Sequence, residues 1–105
     1  MNNEITVEEA ENKIKEGEVC ILDVRTSDER AQGYIEGSEN LDFRGGNFKS
    51  NIEKLDRSKT YIVYCASGIR SSATVKLMHE LGFNACYNII GGLNEWIKKG
   101  MKVVK

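Results

Sequence analysis

Tyr61-Ile62-Val63-Tyr64 is an unbroken run of β-branched and aromatic residues, and no segment narrows the choice of fold more. A strand with aromatic or β-branched side chains at every position has no face to give to water, so other elements need to cover both sides. Val19-Cys20-Ile21-Leu22 is a second such run, and 86–90 reads as a third strand. Between them the spacing turns helical. Thr6 with Glu9 forms a capping box, after which Val7, Ala10 and Ile14 share one face and Gly17 stops the helix. Thr26 with Glu29 opens a second, short helix that ends at Gly33. The segment 41–43 suggests a brief strand, Gly45-Gly46 a break, and 51–55 a short polar helix. Ala73, Leu77 and Leu81, widened by Met78, mark the stripe of a helix that Gly82 ends. After the Gly91-Gly92 turn, Leu93, Trp96 and Ile97 give the buried face of a last helix, and Val103-Val104 an edge strand. Short strands alternating with amphipathic helices make an α/β fold with a parallel sheet.

A chain of 105 residues without repeats or low-complexity stretches is expected to form one domain, 1–105. It can bury roughly two thirds of its unfolded surface, enough to fold without disulfides or metal. The 15 basic and 16 acidic residues, net charge −1, leave no basic excess for nucleic acid or anionic membrane. No apolar run nears the ~20 residues of a membrane span, and the first residues lack a basic-then-apolar signal pattern. Cys20, Cys65 and Cys86 contain no Cys-x-x-Cys pair. That is the usage of a cytoplasmic protein, not of a disulfide or zinc framework.

The chemistry concentrates at Cys65, at the end of a buried strand and just before a helix. In an open α/β sheet, ligands bind outside the carboxyl ends of the strands. Ala66, Ser67 and Gly68 are small enough for a tight curl whose N–H groups point into one concavity, toward which the helix dipole also aims. Arg70 adds a permanent cation with a planar fork suited to oxyanions. Together they are expected to lower the Cys65 pKa from ~8.5 into the ~3.5–7.5 range of activated thiols. The one histidine, His79, lies about 14–15 Å along the helix and cannot act as base to Cys65. Cys20 and Cys86 read as core thiols, with Cys86 as a resolving thiol for oxidised Cys65 the alternative. Trp96 reads as core.

Cys65-x-x-Gly68-x-Arg70-Ser71 between a strand and a helix resembles the active-site loop of the rhodanese family of sulfurtransferases. Asp23-Val24-Arg25, Glu29, the stretch from Gly33 to Leu41, and Gly91-Gly92 with Trp96 and Gly100 extend the resemblance over nearly the whole chain. It implies a single rhodanese-like domain with a five-stranded, mainly parallel sheet flanked by helices on both faces. It also implies that Cys65 takes a sulfane sulfur from thiosulfate or a persulfide and passes it to cyanide or a thiol. The substrate-binding residues would be Ala66, Ser67, Gly68, Ile69, Arg70 and Ser71, with Asp23 and Arg25 supporting the loop. No metal or cofactor is expected beyond the covalent persulfide on Cys65. The expected partners are a small-molecule sulfur donor and acceptor, or a protein persulfide as donor, for a monomer that meets neither nucleic acid nor membrane. Phosphatase relatives of the fold use Cys-x5-Arg, one residue longer than the Cys-x4-Arg here. A non-enzymatic carrier or regulatory module is the alternative, for which loss of the cysteine would be the sign. The chain has no proline; positions where the family commonly has one hold Glu36, Asp42 and Lys102, and Tyr34 replaces a usual histidine. Each change frees φ, so loops around 34–48 are expected to lose rigidity.

Overall fold

In the computed structural model, which describes residues 3–105, ten elements alternate along the chain. They are β1 (Glu4–Ile5), α1 (Val7–Glu16), β2 (Val19–Asp23), α2 (Ser27–Arg30), β3 (Glu39–Asn40), α3 (Phe48–Glu53), β4 (Thr60–Tyr64), α4 (Ile69–Glu80), β5 (Ala85–Ile89) and α5 (Gly92–Lys98). The strands form one sheet in the order β1-β5-β4-β2-β3, and every pairing is parallel. The apolar run at 61–64 is therefore the central strand. Both capping boxes close as expected, Thr6 with Glu9 and Thr26 with Glu29.

Two cores flank the sheet, as a strand covered on both faces requires. Tyr61, Val63 and Cys65 face Phe48 and Ile52 of α3 and Val75 and Met78 of α4. Ile62 and Tyr64 face Val7 and Ala10 of α1 and Leu93 and Trp96 of α5. Because side chains alternate along a strand, the sulfur inherits its direction from Tyr61 and Val63 and points beneath the start of α4.

Several local expectations shift. The strand expected at 41–43 lies at Glu39–Asn40, which pairs with Leu22 and Asp23. Leu41 and Phe43 still donate N–H bonds to Asp23 and Val24, at 2.9 and 3.1 Å, but their side chains pack against the core. Their apolarity reports packing rather than pairing. The second helix is a single turn that ends before Gly33, and α3 starts earlier than 51 because Phe48 and Ile52 are its buried pair. The buried stripe of α4 is Ser71, Thr74, Val75 and Met78, with Ala73 exposed and Leu77 and Leu81 at the margin. On this face Ser71 reaches down to Cys65 while Val75 and Met78 enter the core. Ile97 is 52% exposed, Leu93 and Trp96 carrying the buried face of α5.

Val103-Val104 forms no strand; Val104 alone bridges Tyr34, antiparallel, through two 2.9 Å bonds. The segment after Tyr34 is held further by Ile35 N–H donating to the Tyr64 hydroxyl at 3.1 Å and by Ser38 Oγ donating to Ile35 O at 2.7 Å. Glu36 and Lys102, two of the positions where proline is common, meet at 3.5 Å on the surface, a pair worth a fraction of a kcal/mol, ~0–1.

Candidate active site

Cys65 follows β4, is 1% exposed, and lies under a loop whose donors converge on it. Gly68 N–H donates to Sγ at 3.1 Å, Ser71 N–H at 3.5 Å, and Ser71 Oγ lies 3.3 Å away. Gly68 makes this curl possible at φ 101°, in left-handed backbone that side chains disfavour. Burial pushes the thiol up, but the Ser71 hydroxyl and the N–H groups of Ser71, Gly68 and Ser67 outweigh it, leaving Cys65 below the ordinary thiol value.

The loop's carbonyls are tied back so that its N–H edges can face forward. Leu93 N–H donates to Cys65 O at 2.8 Å and Asn94 N–H to Ala66 O at 3.0 Å, joining the first turn of α5 to the loop. Gly92 sits so close that a Cβ there would lie 2.5 Å from Cys65 O and 2.7 Å from Ala66 O. The Gly91-Gly92 turn is thus part of the site's floor.

Arg70 is not the open cation the spacing suggests. Its guanidinium forks onto Glu29, Nη1–Oε1 2.7 Å and Nη2–Oε2 2.8 Å. The fork first, then the Thr26 cap, hold Glu29 down at about 2 against the effect of burial. Arg70 is held up mainly by Glu29, the Cys65 thiolate contributing less. Most of its charge is spent on the carboxylate. Ala66 turns its carbonyl to Asn94, and the Ile69 side chain, 78% exposed, points to solvent.

Asp23 and Arg25 do not touch the loop. Arg25 donates Nε and Nη2 to Asp23 at 2.9 and 2.7 Å, and both are buried. The Tyr64 hydroxyl donates to Asp23 Oδ2 at 2.9 Å, and Arg30 Nη1 approaches it at 3.2 Å. Arg25 also donates to Glu29 O and Gly33 O, so the pair braces the backbone that presents Glu29. Any support of Arg70 passes through that carboxylate.

Glu29 as Arg70's partner and Asn88 as Ser71's were missed in the sequence. Glu29 reads there as a helix cap, a role it also fills. For Asn88 the available signal is a lone polar residue within the apolar run 86–90. It is 3% exposed, and its Oδ1 accepts a short hydrogen bond from Ser71 Oγ. The resolving role for Cys86 does not fit. Cys86 lies opposite Tyr61, so Cys65 is four residues, about 13 Å, further along the neighbouring strand, beyond disulfide reach. His79 lies in the last turn of α4, its Nε2 3.4 Å from Cys86 O, at the far end from the sulfur. Among the described residues no group of three His, Cys, Asp or Glu could hold a metal ion, and no helix is long and apolar enough to cross a membrane.

Comparison with known proteins agrees with this geometry. The model of the rhodanese-like domain matches residues 6–99. A thiosulfate sulfurtransferase of Coxiella burnetii, GlpE, is 31% identical over 96 residues, 91% of this chain and 88% of that protein. YtwF of Bacillus subtilis, assigned provisionally as a sulfurtransferase, is 34% identical over 94 residues, 89% of this chain and 88% of its own. The crystal structure of a rhodanese-related protein from Thermoplasma volcanium superposes with TM-score 0.87 at 33% identity, covering 97% of each chain.

Proposed function

The chain belongs to the rhodanese-like domain family, and on that premise we propose that it is a sulfurtransferase that works through a persulfide on Cys65. The Cys65 thiolate attacks the outer sulfur of a donor such as thiosulfate. A bond forms between Sγ and that sulfur, the donor's S–S bond breaks, and its electron pair leaves with sulfite. An acceptor, cyanide or a thiolate, then attacks the outer sulfur, and the electron pair of the Cys65–sulfur bond returns to the cysteine. No net oxidant is needed and no base takes part. N–H groups receive the negative charge wherever it resides, the form of catalysis such a reaction asks for. The observation that supports this reading is the convergence of Gly68, Ser71 and the Ser71 hydroxyl on a sulfur with no imidazole near it.

The first test is intact mass after incubation with thiosulfate and desalting. A gain of one sulfur atom that disappears in Cys65→Ser is expected. No adduct with any sulfane donor would leave the binding or regulatory module as the better reading. We take the protein to act as a cytoplasmic monomer, which sedimentation and fractionation would check.

The Glu29–Arg70 fork favours one class of donor. A thiosulfate dianion meets an arginine already neutralised, and Ala66 and Ser67 add no charge beside it. A persulfide borne by a protein or small thiol carries less charge and depends less on a free cation. Kinetics on both donors decide between them, a sub-millimolar Michaelis constant for thiosulfate counting against the persulfide.

A further inference from the structure

The Ser71 hydroxyl has one proton and two acceptors beside it. Its Oγ lies 3.3 Å from Cys65 Sγ and in a short hydrogen bond with Asn88 Oδ1. The orientation of the Asn88 amide is fixed from its other side. Its Nδ2 donates to Glu4 Oε2 at 2.7 Å and to Gly68 O at 3.3 Å, and both are oxygens that only accept. Oδ1 is thereby aimed at Ser71, where it calls for a donor. Sheet geometry delivers all of this: Glu4 lies opposite Asn88 in the β1–β5 register, and alternation along β5 turns Asn88, like Cys86, toward α4. Ser71 is fully buried and Asn88 nearly so, and Ser71 Oγ is the donor that faces Oδ1.

We infer that Glu4, Asn88 and Ser71 form a relay in which Asn88 competes with Cys65 for the Ser71 proton. When the sulfur is a thiol, the proton stays with Asn88 Oδ1, and Ser71 Oγ can accept from the S–H. When the sulfur is a thiolate, the hydroxyl rotates to it, and Asn88 loses its donor. Glu4 strengthens the competitor, because an amide that donates to a carboxylate is a better acceptor at its oxygen. The relay thus holds back the thiolate that the loop amides favour. It rests on the reading of Cys65 as the nucleophile and extends it. Once a persulfide forms, the charge moves to the outer sulfur and the Ser71 proton returns to Asn88. Asn88 and Glu4 are positioning residues for this step, since both act through Ser71.

Arg70 with Glu29 stands beside the sulfur, and the other titratable or charged groups, Lys76, His79 and Glu80, line the groove that Glu4 and Asn88 share on the far side of Asn88. None changes in the variants below. The readout is the thiol pKa of Cys65 from the pH dependence of its alkylation rate, in a background with Cys20 and Cys86 replaced by alanine. This is independent of sulfur-transfer turnover, so absence of a persulfide and failure of the relay are separate results. Ser71→Ala is expected to raise the pKa by about one unit, and the near-isosteric Asn88→Leu to lower it by about half a unit or more. Glu4→Gln, an exposed change that spares the core, is expected to lower it by a few tenths in the Ser71 protein and not at all in the Ser71→Ala protein. An equal shift in both backgrounds would show a through-space field and overturn the relay. So would no shift in either, or an Asn88→Leu pKa unchanged or raised. If Asn88→Leu fails to fold, the Glu4→Gln cycle alone decides.

Discussion

Cys65, at the end of β4, and Cys86, within the neighbouring β5, are each 1% exposed and face the same core. Yet burial pushes Cys86 up to about 11, while Cys65 lies below the ordinary thiol value. Depth is therefore not what separates the acidities of the two thiols. Cys86 lies within β5, where the neighbouring N–H groups are committed to the sheet ladder and none is left for the sulfur. Cys65 comes just after β4, where the ladder ends and the next N–H groups are unclaimed. One residue type has two fates, set by where the backbone's donors are spent.

The comparison breaks most completely if the loop is displaced. Gly92→Ala puts a methyl group 2.5 Å from Cys65 O at a backbone φ of 61°, so the loop or α5 has to move. It is expected to cost about 2–4 kcal/mol of stability. Sulfur transfer should fall by roughly 100-fold, through loss of geometry. Urea denaturation and single-turnover persulfidation measure both, with the Cys65 pKa rising toward that of Cys86. A stable, fully active variant would remove Gly92 from the site's floor.

The second prediction sharpens the contrast through pH. Cys86 is neutral in the fold up to about 11, whereas in the unfolded chain it ionises from ~8.5. A raised folded value stabilises below the unfolded one and loses that contribution as pH rises, so Cys86 makes the protein weaker between these limits. Cys65 has the opposite sign: its lowered value adds stability above the unfolded value and loses it as pH falls through the folded one. Between pH ~8 and ~10, Cys86→Ala should lose about 1–2 kcal/mol less than the parent, and Cys65→Ser should lose more. Parallel pH profiles for all three proteins would reject the assignment.

The smallest effect belongs to the partner of Arg70. Glu29→Gln keeps the cap on Thr26 but releases the guanidinium toward the sulfur. Cys65 alkylation near neutral pH is expected to rise about 3-fold, and the Michaelis constant for thiosulfate to drop by a similar factor. The partly exposed fork should cost no more than ~1 kcal/mol of stability. Unchanged kinetics would mean that the carboxylate leaves the charge at the sulfur as it was.

The sequence displayed the layers of this fold because its strands are short apolar runs and its helices carry explicit caps. Cys65, Gly68 and Ser71 were legible too, since small residues between a buried strand and a helix leave few ways for the chain to turn. Rotation about the helix axis was not. Ala73 and Ile97 lie on apolar stripes that the sequence offers as well as the true ones, and in the fold the cores take Val75 and Met78 of α4 and Leu93 and Trp96 of α5 instead. Nor was Arg70's commitment readable, because Glu29 is 41 residues away and already explained as a cap. Asn88 is a single polar position in an apolar run, and its meaning depends on the register between β1 and β5, which a linear sequence does not display.

The two hydrogen bonds from the first turn of α5 to the carbonyls of Cys65 and Ala66 have a consequence for local opening. A carbonyl cannot leave its partner without freeing the amide proton that held it. Deuterium uptake at Leu93 and Asn94 therefore measures how often the sulfur's cradle comes apart, although neither residue touches the sulfur. Whatever fills the cradle will slow that exchange, and the opening free energy of a C-terminal helix becomes a gauge of occupancy at the cysteine.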